Sequence, residues 1–159
     1  MQLHSNPGID KVLIFTLNGL LYALPLGNVI RVIHAMEIRE LPKAPKIISG
    51  IINVGGQIIP VVDMRKRFGM AEREIIPEDN FILTKTGKMH VALWIDEVTG
   101  VKEIDPGKYS ETQEAIPYAE FIKGIVRIEE EIILIYDLEQ CLNLQEEMEL
   151  EKALSSNNI

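Results

Sequence analysis

The sequence predicts a mainly β protein built from two similar small barrels that share a core. Three observations carry this: apolar runs are short and β-branched, turn residues separate them, and one stretch recurs at a constant offset. At 159 residues the chain has the length of one domain, or of two small ones packed together.

The runs are 12–17, 20–24, 29–33, 47–54, 58–62, 81–83, 91–95, 125–128 and 132–136, rich in Ile, Val, Leu and aromatics. Their length and composition favour strands. The run 29–33 stays open between strand and short helix, because Gly27-Asn28 before it could open either. Asn18-Gly19 joins the first two runs, and such a pair supplies the positive φ values that a two-residue hairpin needs. Gly55-Gly56 plays the same part before 58–62, and Gly87 marks a third hairpin before 91–95. Pro60 lies inside a strand-like run, where its missing N–H predicts an edge position or a bulge.

Helical signals are few. Asp63 is expected to cap a short helix over 64–69 with Gly69 as its left-handed stop. Asp137 is expected to cap a C-terminal helix from about 138 to 154, whose apolar residues form only a partial stripe. Residues 155–159 are expected to fray.

The repeat organises the chain. Residues 48–64 and 122–138 align at an offset of 74, with Gly50 on Gly124, Asp63 on Asp137 and nearly every apolar position matched. A weaker match sets Gly19, Ala23-Leu24 and Val29 on Gly87, Ala92-Leu93 and Val98. Two units of about five strands each are too small to bury their apolar faces alone, so they are expected to pack as two barrels related by a pseudo-twofold. Residues 70–80 form the polar connection, and a binding groove is expected at the junction.

The composition excludes several classes of function. A net charge of −8 disfavours nucleic acid as a partner. Without Glu139, Glu146, Glu147, Glu149 and Glu151 the charge is only −3, so the acidity belongs chiefly to the C-terminal tail. That tail reads first as a solvated helix face and alternatively as an acidic docking tail. One cysteine, Cys141, allows no internal disulfide, which fits a reducing compartment. No apolar run has the length of a membrane-spanning helix, and no signal peptide is read at the start. His4, His34 and His90 have no metal-ligand spacing with one another or with Cys141. The matched Asp63 and Asp137 could form a proton-sharing pair, but neither sits in an Asp-Thr-Gly-like turn, and N-capping accounts for both. Asp96-Glu97 likewise reads as a turn or cap pair. No catalytic residue, cofactor site or metal site is expected; a chain so equipped works by presenting surfaces.

Several ordered blocks resemble the CheW-like domain of bacterial and archaeal chemotaxis systems. Phe15-Thr16-Leu17-Asn18-Gly19 with Tyr22-Ala23-Leu24-Pro25-Leu26 is similar to that family's opening strand and turn. Leu41-Pro42-Lys43-Ala44-Pro45, Ile48-Ser49-Gly50-Ile51-Ile52-Asn53-Val54-Gly55-Gly56 and Ile59-Pro60-Val61-Val62-Asp63-Met64 resemble its central block. Asp96-Glu97-Val98-Thr99-Gly100-Val101 resembles a later segment. The resemblance covers about 10–145, leaving 1–9 as a flexible N-terminus and 146–159 as the acidic end of the C-terminal helix and tail.

The resemblance implies two intertwined five-stranded SH3-like barrels and a non-enzymatic adaptor. Its implied partners are methyl-accepting chemoreceptor tips and the regulatory domain of a CheA-type histidine kinase. The implied location is cytoplasmic, beside membrane-associated receptor arrays, with neither nucleic-acid binding nor membrane insertion. Carried over by motif, the receptor-facing positions are Val29, Arg31, Gly50, Asn53, Gly55 and Val98. Core packing is the simpler account of Val29 and Val98, backbone geometry of Gly50 and Gly55, and a turn contact of Asn53. Two positions depart from the pattern: Gly55 stands where the family has arginine, and Arg31 where it often has glutamate. An ion pair between these positions is therefore impossible here. The departures point to a variant pathway, such as surface motility or pili, or to a ring subunit that binds the kinase alone.

Overall fold

The computed structural model describes residues 11–111 and 119–159, as eleven strands and two α-helices. In chain order these are β1 (Lys11–Leu17), β2 (Leu20–Pro25), β3 (Val29–His34), β4 (Ile48–Val54), β5 (Gln57–Asp63), α1 (Met64–Arg67), β6 (Asn80–Lys85), β7 (His90–Ile95), β8 (Glu97–Glu103), β9 (Tyr109–Glu111), β10 (Ile122–Ile128), β11 (Glu131–Tyr136) and α2 (Leu144–Ser156). The expected flexible segment 1–9 lies outside the described residues.

The strands form two sheets, ordered β8-β1-β2-β11-β10-β9 and β3-β6-β7-β5-β4. Neither sheet is one repeat. The hairpin β1–β2 leaves its own half and pairs in parallel with β11, Tyr22 opposite Leu134 and Ala23 opposite Ile135. Hairpin β6–β7 does the converse, pairing in parallel with β5, Val61 opposite Ala92. This exchange is what intertwines the two barrels.

The pseudo-twofold extends to the irregularities. An extra residue interrupts the register at Ile30 in β3 and at Thr99 in β8, and again at Ser49 in β4 and Lys123 in β10. Such bulges bend a strand and sharpen its twist, which small barrels require. The segment after β3 returns to β4, where Arg39 and Ile51 exchange two backbone hydrogen bonds at 2.8 Å and curl the second sheet toward closure.

Both faces of β1 and β7 are buried, which is why their sequences read as continuous apolar runs. From β1, Leu13, Phe15 and Leu17 enter the core shared by the sheets, while Val12 and Ile14 fill the first barrel with Ala23, Val126, Ile133 and Ile135. From β7, Leu93 and Ile95 enter the shared core, while Ala92 and Trp94 fill the second barrel with Ile52, Val61 and Phe81. Stacked Tyr22 and Phe68, with Tyr136 edge-on to Phe68, occupy the centre of the shared core.

The first sheet carries a sixth strand, the short β9 at the edge of β10. Two expectations need correction. Pro60 lies in β5, which is interior, between β7 and β4. Counted from the closing pair Val54–Gln57, Pro60 and Ile51 form a non-hydrogen-bonded pair, so the proline nitrogen faces β7. Pairing with β7 begins only at Val61, so the missing donor removes no ladder bond. The C-terminal helix is not continuous from 138. Asp137 caps a single 3-10 turn, Leu138–Gln140, and α2 starts anew at Leu144 under its own Asn143–Glu146 capping box.

Candidate functional site

Four of the six expected partner-facing residues lie in strands of the second sheet, and a fifth, Gly55, in its β4–β5 turn. Val29 begins β3 opposite Thr84, half-buried against the shared core. Arg31 follows the bulge, opposite Leu83, and is exposed. It makes no ion pair with another described residue. The register runs Arg31–Leu83–Ala92–Val61–Gly50, so Arg31 and Gly50 lie on one row at opposite edges of the sheet.

Gly50, Asn53 and Gly55 have local structural roles. The Arg39 carbonyl and the Ile38 side chain lie against the Gly50 Cα, and a Cβ there would come within 2.6 Å of Ile38 Cγ2. The matched Gly124 makes the same kind of room for the Tyr109 ring. Gly55 and Gly56, at φ 60° and 92°, form a left-handed two-residue turn, and Asn53 Oδ1 accepts from the Gly56 N–H at 2.8 Å. Beyond the turn, Gln57 Nε2 lies 2.6 Å from His90 Nδ1.

Val98 is placed apart. It lies on β8 of the other sheet, and its N–H donates to Asn80 Oδ1 at 2.9 Å. Asn80 begins β6, whereas Val29 pairs near the end of that strand, so Val29 and Val98 stand at opposite ends of β6.

A charged network absent from the sequence expectations lies at the junction of the halves. Arg65 of α1 bonds Asp96 after β7, and Arg73 reaches the same carboxylate at 2.9 Å. Arg73 also holds Asp79 through both carboxylate oxygens, at 2.8 and 2.7 Å. Asp79 accepts further from Trp94 Nε1 at 3.0 Å, and Asp96 from the Asn18 N–H at 2.8 Å. Burial alone pushes the Asp79 carboxyl up; the Arg73, Ile76 N–H and Trp94 donors outweigh it and hold the group below its ordinary value. Burial, with Arg73 nearby, lowers the Arg65 guanidinium. These partners are scattered through the chain, and no sequence spacing signals them.

The potential catalytic groups are otherwise engaged. Asp63 accepts from the Arg65 N–H at 2.9 Å and the Lys66 N–H at 3.4 Å, and Asp137 from the Glu139 N–H at 3.2 Å, each at its own helical start. Burial raises Asp63 above the usual carboxylate value, against the pull of its amide donors. Burial pushes the Cys141 thiol up to about 12, far from the thiolate that nucleophilic chemistry uses. Among the described residues no group of three His, Cys, Asp or Glu side chains could hold a metal. Nor is any described helix long and apolar enough to cross a membrane.

A cleft of about 430 Å³ lies at the junction, between Pro25, Gly27 and Asn28 on one side and Lys123 and Asp137–Glu139 on the other. None of the six expected residues lines it.

The CheW-like domain family matches residues 11–146, and so both sheets. The chain belongs to that family. The Chemotaxis protein CheW of Thermotoga maritima is 27% identical over 132 residues, covering 83% of this chain and 87% of its own. Protein FrzA of Myxococcus xanthus is 28% identical over 90 residues, 57% of this chain and 56% of its own. A crystal structure of the scaffolding protein TtCheW from Thermoanaerobacter tengcongensis superposes with a TM-score of 0.80 at 29% identity, covering 86% of this chain and 94% of that one. The CheW-like match ends two residues after Asn143–Leu144, so most of α2 lies beyond it.

Proposed function

We propose that this chain is a non-enzymatic adaptor that couples methyl-accepting chemoreceptor tips to the regulatory domain of a CheA-type histidine kinase. The observation that carries the reading is the CheW-like match across both barrels, joined to the fold similarity with a scaffolding protein. The engaged state of Asp63, Asp137 and Cys141 supports it, since each has a structural role in place of a chemical one. The adaptor works in the cytoplasm, beside the membrane that holds the receptors.

Val29, Arg31, Gly50, Asn53, Gly55 and Val98 are proposed to mark the receptor-facing side. Gly50 and Asn53 act there by shaping backbone, and Arg31 supplies the free charge. Arg31 and Gly55 also favour a second reading, an adaptor of a variant pathway or a ring subunit that binds only the kinase, because reversing a charge changes which partners are tolerated.

Calorimetry with the cognate kinase's regulatory domain is expected to show binding, and a folded sample that does not bind rejects both readings. Co-sedimentation with receptor-tip fragments separates them: binding without kinase supports the coupler, and its absence the kinase-only subunit. Arg31→Glu is expected to alter receptor affinity while changing stability by no more than ~0.5 kcal/mol.

A further inference from the structure

Helix α2 is packed on one side only. Leu150 and Ala153 are buried in the shared core, Glu146 pairs with Arg67, and Glu147 takes the Lys88 ammonium at 2.8 Å. On the opposite side Leu144 and Met148 are 68% and 62% exposed. Spaced four residues apart, they lie one above the other, and Glu151 and Ser155 continue the same row. With Gln145, Glu149 and Lys152 they make up one open face, every residue of which belongs to α2.

We propose that this exposed face of α2 is a docking site for a cationic amphipathic helix of a partner protein. Leu144 and Met148 supply the apolar anchor, and methionine adapts its shape to what it meets. The charge around them selects the partner's sign. Glu151 in the row and Glu149 to one side of it are both exposed, while Lys152 is the one basic residue in the helix. A second copy of α2 would bring these acids against their own kind, whereas a basic helix complements them. The site rests on α2 and does not depend on the receptor-facing positions proposed above.

The test uses the full chain and two short labelled peptides with the same helical leucine pattern, one carrying lysine on its polar face and one glutamate. The lysine peptide is expected to bind, more weakly as salt is raised, and the glutamate peptide is not. Leu144→Gln/Met148→Gln is expected to weaken binding at least about tenfold. Glu149→Gln/Glu151→Gln, which touches no buried group, is expected to weaken it several-fold. Kinase and receptor binding, measured on the same variants, is expected to be unchanged, which separates failure of this site from failure of the adaptor reading. Equal binding of both peptides, wild-type affinity in the first variant, or self-association that the first variant abolishes overturns the proposal; the last result makes a second copy the occupant.

Discussion

Arg67 donates through Nη2 to Glu146 Oε2 at 2.7 Å, so the short helix that closes the first repeat is fastened to the helix that follows the second. The guanidinium also lies 5.0 Å from the centroid of Phe121, and its side chain is only 7% exposed. Glu146 completes the α2 capping box through its other oxygen, accepting from the Asn143 N–H at 2.9 Å. Removing the carboxylate leaves a buried cation without its partner and removes one of the two capping-box bonds, the Asn143 side-chain cap on the Glu146 N–H remaining. Glu146→Ala is therefore expected to cost ~3–5 kcal/mol in urea unfolding. Lys88→Ala, which breaks an exposed pair with the neighbouring Glu147, is expected to cost at most ~1 kcal/mol. Equal losses in the two variants would show that burial is not what makes the Arg67 pair matter.

The three two-residue hairpin turns are not equally suited to their geometry. Asn18-Gly19 and Gly55-Gly56 take positive φ with residues that accept it, but Glu129 and Glu130 hold φ 50° and 68° with full side chains. A left-handed residue other than glycine costs ~1–2 kcal/mol. Glu129→Asn/Glu130→Gly is expected to raise stability by ~1–2 kcal/mol, read from the urea midpoint at unchanged slope. Glu129 also meets Lys102 at 3.5 Å, but that pair is exposed and its loss is a small offset.

Gly50 answers a packing question as well as a conformational one. Its φ of 150° and the contacts of Ile38 and the Arg39 carbonyl leave no space for a methyl group. Gly50→Ala is expected to destabilise by ~1–3 kcal/mol through overpacking, with added backbone strain. At Gly55 a Cβ meets nothing within 4 Å, so Gly55→Arg is expected to fold with a smaller loss. Thermal melts of the pair test this, and a larger loss at Gly55 would contradict it.

Acid should loosen the junction through Asp79. Its folded value lies below the ordinary one, so its stabilisation is present above the unfolded value and is lost as pH falls through the folded value. Asp63 has the opposite sign: its raised folded value means that the fold binds that proton more readily. Below about pH 4 the Asp79 contribution decays. The melting-temperature gap between wild type and Asp79→Asn is therefore expected to narrow on acidification. A gap that stays constant would assign the acid sensitivity elsewhere.

How much of this was legible in the sequence depended on the range of the interactions. Turns such as Asn18-Gly19 and caps such as Asp63 are written in neighbouring residues, and the offset of 74 disclosed the pseudo-twofold. Pro60 and the start of α2 were misjudged because each depends on a partner that local pattern omits: the point where β7 begins to pair, and the Asn143 cap after a 3-10 turn. The Arg65–Arg73–Asp79–Asp96 network was invisible because its members come from four separate segments. At the candidate site the motif marks the six positions but not their placement. The register then showed that Val98 stands away from the other five.

The parallel pairing of β2 with β11 also dictates when this protein can fold. Tyr22 finds its neighbour only at Leu134, 112 positions further on. A ribosome must release β11 before the first hairpin gains its second neighbour. Until then the edge of β2 stays open, and pairings across such long sequence separations form slowly. The exchange of hairpins that locks the barrels together thus makes the nascent chain wait, and makes it most vulnerable to wrong partners during synthesis.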